Sequence, residues 1–408
     1  MTGDQADSRI GIFLCRCGHW ISGAIDLETV AERSLSLPNV EHVQVEDFLC
    51  MGEGMAKMKK SAVLFSLDKV IVGACSPLLY LEKFRTALGE VGVSRNVVDM
   101  VSLREQCGSI HWRHPRLGTA KACDLVKMAV AKANVSSPSF KSCAPVLEPE
   151  ICNGCGACRD VCRTKSIQIV GTPERTWRRV AIVNGETCTQ CGACVAACPN
   201  GARDMGSHLS NQIIAQIDAA SDSGLARDLL KPRVLVFVCN WCTYFTADLA
   251  GVMRLEMLPH FLPIKVPCCS EIDSEWILKA FARGIDGILV VAGTHESCRH
   301  GHGYERSRKR AALINSILMR LGLGSRRLKM CWIDPNQAEE YAREVSDFIQ
   351  LMLALGPSPL RLRMNEIEDE NPIVPARHDG TEMAEGGRIG SETSDGAGRG
   401  GAVAVHFS

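Results

Sequence analysis

The segments CNGCGACRDVC, Cys152–Cys162, and CTQCGACVAACP, Cys188–Pro199, carry one spacing twice: C-x2-C-x2-C-x3-C. Three thiolates set two residues apart can wrap one face of a cubane only if the loop between them is tight. Gly154, Gly156 and Gly192 supply that turn and let backbone amides point at sulfur. A pair of zinc sites is the competing reading, but zinc ligands usually come as two separate C-x2-C pairs rather than three-plus-one runs.

The spacing is the bacterial two-cluster ferredoxin pattern, in which the fourth cysteine of each run ligates the other cluster. Cluster one is therefore expected on Cys152, Cys155, Cys158 and Cys198, and cluster two on Cys188, Cys191, Cys194 and Cys162. Residues 142–206 resemble a bacterial-type ferredoxin domain, and the resemblance implies two [4Fe–4S] clusters passing single electrons. Arg163 stands where a proline often follows the first run, and Gly171 to Arg179 read as a short insertion.

Cysteine is the compositional outlier, with 21 residues in 408. In a chain of this size without an export signal, metal binding is a better reading than a disulfide framework. Lys and Arg balance Asp and Glu at 46 each, which argues against wrapping nucleic acid. The longest strongly apolar run, Val234–Cys239, is far short of the ~18 residues that cross a bilayer. A cytoplasmic protein without a membrane span is expected.

Outside the ferredoxin block, apolar strand-like runs alternate with helical patterns, which implies right-handed crossovers and parallel sheets. The expected architecture is multidomain: an α/β open parallel sheet, a ferredoxin-like α+β block and a second α/β open parallel sheet. The expected boundaries are 1–141, 142–206, a linker helix at 207–231, 232–357 and a disordered tail at 358–408. The last 38 residues hold eight glycines and no apolar period.

In the first block, cysteines follow successive strands: Cys15 and Cys17, then Cys50, Cys75 and Cys107. Open α/β sheets bind ligands beyond the carboxyl ends of their strands. Cys17, Cys50, Cys75 and Cys107 are the preferred ligands of a further [4Fe–4S] cluster. Cys15 is held in reserve, because its side chain can point into the sheet packing, and the helical Cys123 is read as structural. The segments CRCGHWISGAIDLETV, DFLCMGEG, VIVGACSPLLYLEKFR and SLREQCGSIHW resemble the N-terminal domain of the A-type subunit of heterodisulfide reductase, over residues 9–135. That resemblance implies an additional iron–sulfur cluster and docking to partner subunits. The family's flavin-binding part is not expected here, since no G-x-G-x-x-G opens a helix after a strand; FAD is not expected either.

In the third block, FVCNWCTYFTADLAG, VPCCSE and GTHESCRHGHGYERSRKR again set cysteines after strands. These segments resemble the delta subunit of methyl-viologen-reducing hydrogenase, over residues 232–357. The resemblance implies a [2Fe–2S] cluster, here on Cys239, Cys242, Cys268 and Cys298, with Cys269 able to replace Cys268. Thr294 occupies a position where that family usually has cysteine. His295, His300 and His302 are polar loop residues or occasional metal ligands. Residues 297–331 hold nine Lys/Arg and one acid, a docking face or a solvated helix face. No nucleophile or acid–base constellation is visible.

The function expected is an iron–sulfur electron-transfer subunit in a hetero-oligomer. By resemblance it would relay electrons between a hydrogenase or formate dehydrogenase and a heterodisulfide reductase-like flavoprotein. The alternative is a cysteine-rich, zinc-binding interaction or regulatory protein.

Overall fold

A computed structural model describes residues 8–138, 144–172, 175–206, 209–222, 231–300 and 303–370. The first α/β block runs β1 (Ile10–Cys15), α1 (Leu27–Leu35), β2 (Val40–Glu46), α2 (Gly52–Leu64), β3 (Lys69–Ala74), α3 (Pro77–Gly89), β4 (Val98–Ser102) and α4 (Pro115–Asn134). Its four strands pair in parallel in the order β2-β1-β3-β4. Every residue of β1 and β3 is buried, because helices cover both faces of the sheet, so both strands read as unbroken apolar runs. Asp26 caps α1 through Oδ1, which accepts from the Thr29 amide at 3.1 Å, and Ser76 caps α3 ahead of Pro77.

The middle block holds β5 (Pro145–Leu147), α5 (Ala157–Asp160), β6 (Ile167–Thr172), β7 (Arg175–Val183) and β8 (Arg203–Met205). It forms two small antiparallel sheets, β5-β8 and β6-β7. The stretch read as an insertion takes in the end of β6 and the first half of β7, which pair antiparallel. Next, α6 (Ser210–Ser221) supplies the linker helix and packs along α4.

The second α/β block runs β9 (Val234–Cys239), α7 (Tyr244–Val252), β10 (Phe261–Val266), α8 (Ser274–Ala282), β11 (Gly287–Ala292), α9 (Gly303–Arg320), β12 (Leu328–Trp332) and α10 (Ala338–Leu355). Its strand order, β10-β9-β11-β12, repeats the order of the first sheet. IGIFLC in β1 and VLVFVC in β9 occupy the same place, buried at the middle of their sheets and ending in cysteine. In both sheets the chain leaves the central strand in opposite directions, so the crevice outside the carboxyl ends of β1 and β3, and of β9 and β11, is where such folds bind ligands.

One apolar core passes from Ile12 and Val126 of the first block through Ile213 of α6 to Phe237 and Trp276 of the second. The blocks also meet at a buried polar seam. The Ser76 hydroxyl donates to Asp248, and Gln106 Nε2 donates to the same carboxylate at 3.4 Å. Burial pushes the Asp248 carboxyl up to about 6.

The chain departs from expectation after Gly356. The expected tail from 358 begins instead with α11 (Pro359–Glu370). Arg361 is buried and donates Nη1 to Asp286 Oδ2 at 2.5 Å and to the Lys231 carbonyl at 2.9 Å. The amide of Ser358 donates to the other Asp286 oxygen at 2.6 Å. These bonds anchor the start of α11, which the average composition of the segment hides. Residues 371–408 of the expected tail, and His302, lie outside the described residues.

Candidate metal centres

Each ferredoxin-like run folds as a tight loop. Gly154, Gly156 and Gly192 all have positive φ, the left-handed region in which a side chain is strained. A Cβ on Gly154 would also meet the Arg179 carbonyl oxygen at 2.7 Å. The loops turn amides toward sulfur, as where the Gln190 N–H donates to Cys188 Sγ at 3.4 Å. Two separate cavities result. Cys152, Cys155, Cys158 and Cys198 line one. Cys162, Cys188, Cys191 and Cys194 line the other, which has a volume of about 320 Å³. The fourth cysteine of each run thus faces the cavity of the opposite run. Burial pushes the Cys162 thiol up, but hydrogen bonds from Thr164 and Ser166 outweigh it and hold the group below its ordinary range.

At the carboxyl ends of β9, β10 and β11, five thiols gather as a chain of neighbours, and the Cys239 thiol donates to the Pro267 carbonyl at 3.6 Å and the Cys242 thiol to the Ser297 carbonyl at 3.8 Å. Cys298 contacts Cys242, Cys242 contacts Cys239, Cys239 contacts Cys268, and Cys268 contacts Cys269. The neighbouring Cys239 and then Cys298 thiols hold Cys242 down at about 3. The neighbouring Cys239 and Cys269 thiols likewise hold Cys268 far below the ordinary thiol range. Gly303, at the start of α9, closes the group: a Cβ there would sit 3.0 Å from Cys268 Sγ and 3.5 Å from both Cys269 and Cys298 Sγ. Among the described residues no three ligating side chains converge on a single-ion site. The thiols are strung pairwise, and this donor set fits a polynuclear cluster better than one ion. Thr294 does not join them. Its hydroxyl donates to Asp334 Oδ1 at 2.6 Å.

The second-run cavity abuts this thiol chain. Cys298, Ser270 and Gly303 share its wall with Cys188 and Cys191. Ser270 Oγ lies 2.7 Å from the Cys191 carbonyl, to which it donates, and 3.2 Å from Cys268 Sγ. Opposite, Gly192 lies so close to buried Glu271 that a Cβ would meet its side chain at 2.5 Å. Sequence reasoning misses Ser270, because nothing in VPCCSE indicates which block it faces.

In the first block, Cys15, Cys17, Cys50 and Cys75 gather at the carboxyl ends of β1, β2 and β3, around Arg104. Cys17 has φ 51°, a turn that swings its sulfur back toward Cys15. A hydrogen bond from the Cys15 thiol, aided by Arg104 with Nη1 3.6 Å from the sulfur, brings Cys17 down to about 6. Burial pushes Cys75 up to about 12. The expected ligand Cys107 stands apart. Arg104–Gly108 form a π-helical turn, whose extra residue rotates Cys107 into the core. The ionisable neighbours of Cys107 are Lys121, Cys123 and Asp124, and burial raises its thiol to about 12. Cys15, held in reserve on sequence grounds, stands beside Cys17.

The family model of the methyl-viologen-reducing hydrogenase delta subunit matches residues 234–356, and the model of the 4Fe-4S dicluster domain matches 151–202. The D-type iron-sulfur subunit of the vhc F420-non-reducing hydrogenase of Methanococcus voltae is 32% identical over 139 residues, which are 34% of this chain and 96% of that protein. The chain belongs to the hydrogenase delta-subunit family. Its kinship extends to the D-type iron-sulfur subunit of the F420-non-reducing hydrogenase of Archaeoglobus profundus, 31% identical over 31% of this chain and 93% of that protein.

A second relationship lies beside it. The A-type subunit of the ferredoxin:CoB-CoM heterodisulfide reductase of Methanosarcina mazei is 33% identical over 211 residues, 52% of this chain and 25% of that protein. The chain spans about a quarter of the length of such heterodisulfide reductase relatives. It is thus a fusion of a hydrogenase delta-type part, a 4Fe-4S dicluster domain and a part homologous to the A-type subunit of heterodisulfide reductase. It is an iron–sulfur protein of the heterodisulfide reductase and hydrogenase type. No described helix is long and apolar enough to cross a membrane.

Proposed function

We propose that this chain is an electron wire with three or more stations. The first-run cavity and the second-run cavity would each hold a [4Fe–4S] cluster, and the C-terminal thiol chain a [2Fe–2S] cluster. When bound, such clusters supply one-electron carriers whose potentials follow charge, hydrogen bonding to sulfur and burial. The chain's own residues do the rest. Cysteine thiolates bind, and the left-handed glycines hold the loops closed.

One observation carries the reading. Ser270 joins the Cys191 carbonyl to Cys268 sulfur, so a ligand of one station touches a ligand of the next through a single side chain. In the finer form of the proposal, the stations relay electrons between a hydrogenase or formate dehydrogenase and a heterodisulfide reductase-like flavoprotein, within a cytoplasmic hetero-oligomer. The names of the relatives, one from a hydrogenase and one from a heterodisulfide reductase, support that pairing.

Purified without oxygen, the protein should be brown and hold about ten iron atoms, from two cubanes and one two-iron cluster. A colourless protein holding zinc would sink the reading and leave the zinc-binding alternative. Ser270→Ala should keep the iron and cost about 1 kcal/mol of stability. It should also slow electron passage between the second-run and C-terminal stations several-fold, as followed by rapid-freeze EPR after a reductant pulse.

The thiols around Arg104 form the fourth candidate station, a [4Fe–4S] site on Cys15, Cys17, Cys50 and Cys75. If it fills, the iron count rises to about fourteen. Cys17→Ala and Cys75→Ala should then each lose up to about four iron atoms, while Cys107→Ala keeps them. No loss of iron from either Cys17→Ala or Cys75→Ala would mean that these thiols hold no cluster, and an equal loss from Cys107→Ala would overturn the ligand set.

A further inference from the structure

His300 is a histidine with nothing to do in the structure as it stands. Both of its ring nitrogens are shielded from solvent, and neither has a hydrogen-bond partner among the described residues. Its neighbour His295 is ordinary by comparison, exposed and edge-on to Tyr304 with ring centroids 6.4 Å apart. Leaving a buried polar group unpaired is costly, so the ring nitrogens are expected to find a partner in the space they line. The ring lines the second-run cavity, among Cys162, Cys188, Cys191 and Cys194.

Ligation is not what the ring is for. Four thiols already line that cavity, and five already stand in the chain behind Cys298. Either set is complete without a nitrogen. What remains for an imidazole aimed into the space is to donate a hydrogen bond. Its position is tied to the C-terminal station, because His300 stands two residues after Cys298 on the same loop. The loop that gives the C-terminal station a ligand therefore also points a donor at the neighbouring station. Arg163, Arg299 and Arg306 line the same cavity.

We propose that His300 is a positioning residue for electron flow: it donates an N–H hydrogen bond to a sulfur of the cluster held by Cys162, Cys188, Cys191 and Cys194, and raises the reduction potential of that cluster alone. A donated hydrogen bond stabilises the reduced form, which carries the extra negative charge, more than the oxidised form. The effect sets the second-run station above the first-run station and draws electrons toward Ser270 and Cys268. The inference rests on the iron–sulfur reading above.

The experiment uses the full chain, prepared without oxygen, as wild type, His300→Leu and His300→Gln. Iron content, melting temperature and an EPR-monitored redox titration are measured for each. His300→Leu should retain its iron and shift one [4Fe–4S] midpoint downward, leaving the other midpoints in place. His300→Gln, which keeps an N–H donor, should recover most of the shift. Electron–nuclear double resonance on the wild type should show an exchangeable proton coupled to that cluster, and this coupling should be absent from His300→Leu. An unmoved midpoint in His300→Leu overturns the inference while leaving the wire intact. Loss of iron from that variant, or a strong directly bonded nitrogen coupling in the wild type, also overturns it, because His300 would then be a ligand. A wild type without iron defeats the inference together with the reading beneath it, and the first measurement alone shows which has failed.

Discussion

Arg361→Ala should destabilise the C-terminal block by about 3–5 kcal/mol, the cost of removing one partner from a buried ion pair. Arg361 and Asp286 are both almost wholly buried, at 1% and 0% side-chain exposure. Taking away the guanidinium leaves the Asp286 carboxylate in the interior, still accepting from the amides of Ser358 and Arg233 but without the charge that balanced it. For a block of this size the melting temperature should fall by roughly ten degrees or more. Adding Asp286→Asn to Arg361→Ala should restore part of the loss, since the uncompensated charge is then gone. Truncation after Pro359 should behave like Arg361→Ala, whereas truncation after Glu370 keeps the pair. Equal stability of the two truncated chains, measured by thermal unfolding, would remove α11 from the folded unit.

That prediction reverses what the sequence suggests, and the reversal is instructive. Residues 358–408 are rich in glycine and charge, and on average such a segment cannot bury enough surface to fold. The average conceals PLRLRMNEIEDE, Pro359–Glu370, whose leading residues reach Asp286 ahead of β11. No local pattern announces that contact, because its partner lies 75 residues away. The strands, by contrast, are legible almost to the residue. Ile10–Cys15 and Gly287–Ala292 are short unbroken apolar runs ended by a turn residue, and the structure forms them over those spans.

The thiol sets show the same division. Position at a strand end is a topological property, and sequence rhythm reveals it. Side-chain direction is a local property, and one extra residue in a helical turn changes it. Cys107 does follow β4 as its sequence position implies, yet it faces the core, because Arg104–Gly108 form a π-helical turn. Cys15 reads as a packing residue, yet the left-handed Cys17 folds its sulfur back toward Cys15. The shared order of the two sheets is also within reach, since FLCRC and FVCNWC stand at equivalent strand ends. Ser270 and His300 are not legible as junction residues. Their roles arise where separately readable blocks dock, and docking leaves no periodicity in the chain.

Cys162→Ala should abolish or convert the cluster of the second-run cavity and spare the one on Cys152, Cys155 and Cys158, although Cys162 belongs to the first run. The cavities carry the argument. Cys162 lies with Cys188, Cys191 and Cys194, and Cys198 lies with the first three cysteines of the opposite run. The iron content should fall by up to about four atoms, the capacity of one cubane. The two cubanes can be told apart because only the second-run cavity shares a wall with Cys298 and Ser270. Its cluster should therefore be the one magnetically coupled to the C-terminal centre in the fully reduced protein. Cys162→Ala should remove that coupling from the EPR spectrum, whereas Cys198→Ala should damage the uncoupled cubane and leave the interaction in place. The opposite pattern, with the coupling surviving in Cys162→Ala and lost in Cys198→Ala, would mean that each run ligates its own cluster. Cys162, beside Thr164 and turned toward Cys188, would then have to turn away from the cavity it now lines.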